Sequence, residues 1–191
     1  MIHLMSAIAI VNPDPTWAAQ YDKTAQVITN ILGDTAARVD HIGSTSVPRL
    51  AAKDVLDIQA TVAAESELED AVQLLTAADW ESRPPRRDHP VPGLPRDEFQ
   101  WVKRLVVEPM YRRRVNLHLR VIGRANQRYA LLFRDYLRAH PDTAAAYGEF
   151  KRRAATLPLE STGEYADLKD PVCDLIYLPA EDWAARTGWT A

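Results

Sequence analysis

Only one cysteine, Cys173, occurs among the 191 residues. A single thiol excludes an internal disulfide and cannot by itself build a thiolate metal site, which fits a reducing cytoplasm. No run of 18 apolar residues occurs, and residues 1–10 lack a basic segment leading into a long apolar stretch. Neither a membrane span nor a signal peptide is therefore expected. An excess of positive charge is missing too: 23 Lys and Arg stand against 26 Asp and Glu, for a net charge of −3 and a pI near 6.0. That balance disfavours sequence-independent nucleic-acid binding, and the local clusters Arg86–Arg87 and Arg112–Arg113–Arg114 read as solvated loop charge. There is no Walker A pattern, no HExxH, no GxSxG, no Cys/His metal spacing and no internal repeat.

What is present is apolar material for one substantial core, 47% of the chain, and the length suits a single domain over residues 1–191. Trp17, Tyr21, Thr24, Ile28 and Ile31 recur at helical spacing between an N-cap at Asp14, with Pro15 at the first helical position, and a C-terminal Gly33. "ARVDHI" and "DVLDIQATV" read as strands on either side of a Gly43–Ser44 turn, and Pro48 forbids a long helix between them. Leu68, Ala71, Val72 and Leu75 mark a second amphipathic helix. Six residues of Pro or Gly between Ser82 and Arg96 exclude regular structure and signal a long surface loop. "FQWVKRLVV" and "RRRVNLHLRVI" read as antiparallel strands joined through Glu108, Pro109 and Met110. The remainder is helical, with a last pair of helical segments on either side of Pro171. Early strands followed by late helices indicate an α+β or mixed α/β arrangement.

Alternation in a strand separates two faces. Val115, Leu117, Leu119 and Val121 oppose Asn116, His118 and Arg120, and Leu56, Ile58, Ala60 and Val62 oppose Val55, Asp57, Gln59 and Thr61. If the two strands are neighbours, Asp57, Gln59, His118 and Arg120 share one exposed concave surface, with Ser44 at its edge and Lys103 able to join. A carboxylate, an imidazole and cations around a backbone N–H turn can hold a metal-bound phosphate. The same alternation also fits a sheet with one wet face and no site.

"HIGSTSVPRLAAKDVLDIQ", followed by "KRL", "VNLHLRV" and "RYALLFRDYLRAHP", closely resembles the GrpB family from about Trp17 to Trp183. The resemblance implies a nucleotidyltransferase-like fold: a mixed sheet with helices packed on one face and a helical C-terminal part. It implies phosphate or nucleotide binding at Gly43, Ser44, Lys53, Lys103 and Arg120, and Mg²⁺ or Mn²⁺ at Asp57, the catalytic aspartate, with Gln59 and His118 as further ligands. Gln59 stands where a second aspartate is usual, and His118 where a third carboxylate is usual, so the acidic motif is degenerate and supports at most a weak, single-ion site. On this reading Gln59→Asp would restore an acidic pair and tighten Mn²⁺ binding. Two functions remain open: a metal-dependent nucleotidyltransferase with unknown acceptor, or a non-catalytic binding or folding-accessory module. In actinobacterial relatives a similar domain follows a dephospho-CoA kinase, which makes that kinase a candidate partner and a coenzyme A-related small molecule a candidate ligand. With no P-loop in the chain, such a kinase would be a separate polypeptide.

Overall fold

The computed structural model of the protein describes residues 8–108 and 113–191. Pro109, Met110 and Arg112, which entered the expected strand connection and basic cluster, lie outside them, as do residues 1–7. The elements run α1 (Trp17–Leu32), β1 (Arg38–Ile42), β2 (Leu56–Val62), α2 (Glu67–Ala77), β3 (Glu81–Ser82), β4 (Arg86–Arg87), β5 (Val102–Val107), β6 (Val115–Val121), α3 (Ala125–Ala139), α4 (Pro141–Ala154) and α5 (Thr162–Thr187). The strands form one mixed sheet in the order β1-β2-β6-β5-β3, with β4 also on β5. Among the described residues β2 and β6 run parallel and the other strand pairs are antiparallel. This is the expected α+β class.

The two alternating strands decide the layering. Their apolar rows are almost fully buried and meet Leu68, Ala71, Val72 and Leu75 of α2 and Trp17, Ile28 and Leu32 of α1 in one core. A second core gathers Leu132, Tyr136 and Leu137 of α3, Ala144 and Tyr147 of α4, and Ile176, Tyr177 and Ala180 of α5 around Val47 and Leu50. The segment between β1 and β2 thus joins the sheet to the helical part. No helix among the described residues is long and apolar enough to cross a membrane.

Three expectations change. The first helix begins at Trp17, with Thr16 in the N-cap position but making no side-chain cap bond, because Asp14 Oδ1 accepts the Thr16 N–H at 2.8 Å and its hydroxyl at 2.7 Å in a turn ahead of the helix. Pro171 does not divide two helical segments: α5 runs 26 residues with Pro171 and Pro179 inside. Each proline frees the carbonyl four residues earlier, on Asp167 and Leu175, and all four residues are exposed, so water can take up the lost bond. The Pro-rich segment, expected to be without regular structure, carries the two-residue strand β4 and ends of its own: Val91 is buried in the helical core, and the Trp101 indole beyond it donates to Pro95 O at 2.7 Å.

Leu117, fully buried on the central strand β6, is expected to cost about 2–5 kcal/mol when replaced by Ala, read from urea denaturation. Leu175→Ala, at a position 71% exposed, should stay within about 0.5 kcal/mol.

Candidate functional site

Parallel pairing of β2 with β6 sets Asp57 opposite Asn116, Gln59 opposite His118 and Thr61 opposite Arg120. The expected residues therefore do share a face. They do not share one exposed surface, because α3 and the Pro-rich segment cover part of it and divide the row in two.

In the covered part, Gln59 is fully buried and Arg120 is 4% exposed. Arg120 donates to Gln59 Oε1 at 2.7 Å, and Gln59 Nε2 donates to Gln127 O of α3 at 3.3 Å, so both amide atoms of Gln59 are occupied by the protein. The Gln59 oxygen expected on a metal accepts from a guanidinium. The other side of that guanidinium meets Asp88, with Nε at 3.0 Å and NH2 at 2.9 Å from Oδ2. Lys103 also pairs with Asp88, and Asn126 donates to it at 3.2 Å. Burial alone would raise the Asp88 pKa, but the charges of Arg120 and Lys103 hold it well below the usual carboxylate range. Lys103 and Arg120, expected on ligand phosphates, thus both pair with Asp88 inside the protein. His89, next in the chain, places Nε2 3.0 Å from Asp174 Oδ2 on α5, which ties the segment to the helices.

The uncovered part is built around Asp57, whose side chain is 32% exposed. Asn116 Nδ2 donates to Asp57 Oδ1 at 2.9 Å, and His118 Nε2 lies 3.5 Å from the same oxygen. Burial would raise the Asp57 pKa, but these two neighbours and the charge of Lys169 outweigh it and lower it. Burial drives His118 down to about 4, against the pull of Asp57, and its Nδ1 is buried without a partner. Gly43 closes the site from β1. Its φ of 66° and ψ of −171° fall in a region open essentially to glycine alone, and a Cβ there would lie 2.5 Å from Asp57 Oδ2. The turn backbone can sit against the carboxylate only because that side chain is absent.

The opposite wall comes from the helices. Gly148 lets α4 approach Leu50 and Ala51 closely, and one turn later Lys151 reaches Ser44 Oγ at 2.7 Å and Ala51 O. Burial lowers the Lys151 pKa to about 7, with Lys169 acting in the same direction. Lys53 and Lys169 both lie over the Tyr165 ring, 4.4 and 5.3 Å from its centroid. Of these lysines the motif marks only Lys53; Lys151 and Lys169 sit on helices where sequence gives no reason to single them out. A cavity of about 510 Å³ lies elsewhere, behind the turn, lined by Trp17, His41, Thr45, Arg49 and Arg138.

For a divalent ion the protein offers Asp57 and, beside it, the His118 imidazole. Among the described residues no cluster of three or more His, Cys, Asp or Glu side chains could hold a metal. One carboxylate oxygen, with an imidazole beside it, fits at most one ion, whose remaining positions would be left to ligand and water.

A GrpB protein family model matches residues 7–178. A dephospho-CoA kinase of Mycolicibacterium paratuberculosis is 35% identical over 95% of the chain and 48% of its own length. A UPF0157 protein of Streptomyces coelicolor is 36% identical over 94% of the chain and 86% of its own length. The chain spans about half the length of the dephospho-CoA kinases it matches. The crystal structure of a conserved GrpB protein from Enterococcus faecalis superimposes with a TM-score of 0.73 at 26% identity, covering 92% of this chain and 99% of that one.

Gly43→Ala is expected to destabilise the protein by about 1–3 kcal/mol, measured by denaturant midpoint, since the new Cβ must displace Asp57 or the turn. A second expectation concerns His41, 7% exposed, stacked on Tyr21 and 3.0 Å from Thr45 Oγ1. Burial lowers its pKa to about 4. Its folded form resists a proton that the unfolded chain takes up near pH 6.5, so this contribution is intact above pH 6.5 and lost as pH falls toward 4. The slope is at most about 1.4 kcal/mol per pH unit. Urea midpoints should drop between pH 7 and 5, and the drop should shrink in His41→Gln; equal drops in both proteins would refute it.

Proposed function

The chain belongs to the GrpB family, and we propose that it binds a nucleotide by its phosphates in the cleft between the Gly43–Ser44 turn and the α4–α5 wall, with Mg²⁺ or Mn²⁺ on Asp57. The observation that carries this reading is the contact of the Gly43 backbone with the Asp57 carboxylate, which joins a turn free of side-chain obstruction to an ion-holding oxygen. Ser44 Oγ accepts from Lys151, so its own hydroxyl hydrogen remains to donate to a phosphate. Asn116 fixes the Asp57 carboxylate, and His118 stands beside it. A divalent ion bound there would withdraw charge from a phosphoryl oxygen, the chemistry of nucleotidyl transfer.

A second reading, a non-catalytic module serving dephospho-CoA kinase and taking a nucleotide or coenzyme A-related ligand, is favoured by Gln59. Where a second metal-holding carboxylate would serve transfer, the side chain braces Arg120 instead. The relatives named dephospho-CoA kinase, about half matched by this chain, support the association with coenzyme A biosynthesis.

Calorimetry should detect Mn²⁺ binding, strengthened by nucleoside triphosphate and abolished in Asp57→Ala. Gln59→Asp should leave Mn²⁺ affinity within about threefold, because the new carboxylate faces the Arg120 guanidinium and forms an ion pair there. Mn²⁺ binding that survives Asp57→Ala would remove the ion from this site. Product formation from labelled nucleotide separates the transferase from the module, and co-purification with dephospho-CoA kinase tests the partner.

A further inference from the structure

Lys151 is 3% exposed, yet its ammonium group meets only neutral partners, the oxygens of Ser44 and Ala51 and the Tyr147 ring, 4.7 Å from its centroid. Lys53 and Lys169, both half-buried, converge on the single ring of Tyr165, which is 1% exposed. Among the described residues no Asp or Glu forms an ion pair with any of the three. This departs from the rest of the face, where Lys103 and Arg120 each pair directly with Asp88. The three cations act as one cluster: the charge of Lys169 works against those of Lys53 and Lys151, and Asp57 is the carboxylate that acts on both in the opposite sense. Buried charges are ordinarily paired, and three ammonium groups opposite one carboxylate leave an unmatched positive surface. They come from three separate segments: the loop before β2, α4 and α5. A ligand neutralising all of them must carry several negative charges along its length.

We propose that Lys53, Lys151 and Lys169 form a metal-independent subsite for linked phosphates, which selects di- and triphosphates over a single phosphate. The proposal rests on the reading that the cleft takes phosphates, and it adds where the far end of a polyphosphate lies and which helices hold it. Lys151 bridges the two regions, since it already donates to Ser44 at the turn. Phosphates entering past Ser44 would meet Lys151 and then the Lys53–Lys169 pair against Tyr165. Ring and ammonium groups hold one another by cation–π attraction, which keeps two flexible side chains in place before the ligand arrives.

The test is calorimetric titration of the full chain with inorganic tripolyphosphate, in EDTA and at pH 6.5. Wild-type protein should bind tripolyphosphate at least about tenfold more tightly than orthophosphate, the loss expected when charge-assisted contacts are given up. Lys53→Met and Lys169→Met should each weaken tripolyphosphate by about tenfold or more, while Arg87→Met, at an exposed arginine paired with Glu98, should not. Both lysines are half-buried, so these variants carry the test even if Lys151→Met fails to fold; melting curves without ligand confirm their integrity. Asp57→Asn should keep tripolyphosphate binding in EDTA while losing Mn²⁺. Failure of the metal reading therefore leaves the subsite standing. Equal affinity for orthophosphate, no binding by the wild type at millimolar concentration, or unchanged affinity in both lysine variants would each overturn the proposal.

Discussion

A buried guanidinium organises the polar side of the sheet. Arg120 sits on β6 beneath α3, at a depth where an unpaired charge would cost several kcal/mol. It can remain only if its donors are met from every side. Gln59 meets it along the sheet and Asp88 from across the chain. Asp88 reaches that place because the Pro-rich segment folds over the sheet edge, pairs β4 with β5, sinks Val91 into the helical core and fastens His89 to α5. A segment whose composition signals a long surface loop is therefore a strap. Its prolines suit this role, because they reduce the conformational entropy lost when it is laid down.

The same constraint explains why the cleft is confined to one end of the polar row. Where Asp88, Gln59 and Arg120 satisfy one another, the guanidinium's donors are taken up by the protein. At the other end, Asp57 and Asn116 open each strand and face the Gly43 turn and the helical lysines. Among the described residues each cation of the first region has an ion-pair partner in Asp88, and the lysines of the second have none. Of the five phosphate-binding residues implied by the family resemblance, Gly43, Ser44 and Lys53 lie in the second region, and Lys103 and Arg120 in the first.

How much of this is legible in the sequence depends on the range of the interaction that fixes it. Strict period-two alternation over residues 56–62 and 115–121 specifies both faces, because a slip of one residue would turn every Leu and Val to the wrong side. The Gly43 turn is legible for a similar reason, since local backbone geometry demands glycine. Asp88 is not, because a carboxylate in a Pro-rich loop carries no local mark of the arginine it will meet 32 residues later. Lys151 and Lys169 are hidden by the opposite effect: lysine on a helix usually marks the solvated side, and only the close approach of α4 at Gly148 turns one inward. The fusion of two expected segments into α5 follows from exposure, which no single proline reveals.

Asp57 has two electrostatic roles that need separating before its variants can be interpreted. Without ligand it is the carboxylate whose field eases the crowding of Lys53 and Lys151, and with ligand it is the oxygen that would hold an ion. Removing its charge acts on both, in opposite directions: ion binding is lost, but the lysine cluster becomes more positive and its attraction for bare phosphates rises. A fall in affinity for a metal-bound nucleotide can therefore accompany a gain for the same nucleotide in chelator, with no contradiction between them. The free protein should also be less stable without that carboxylate, since like charges then face one another unrelieved, and a polyanion would restore more stability by mass action than it gives the wild type. The sign of the change in chelator, rather than the loss of affinity with metal, reports whether the turn and the helical wall act as one site.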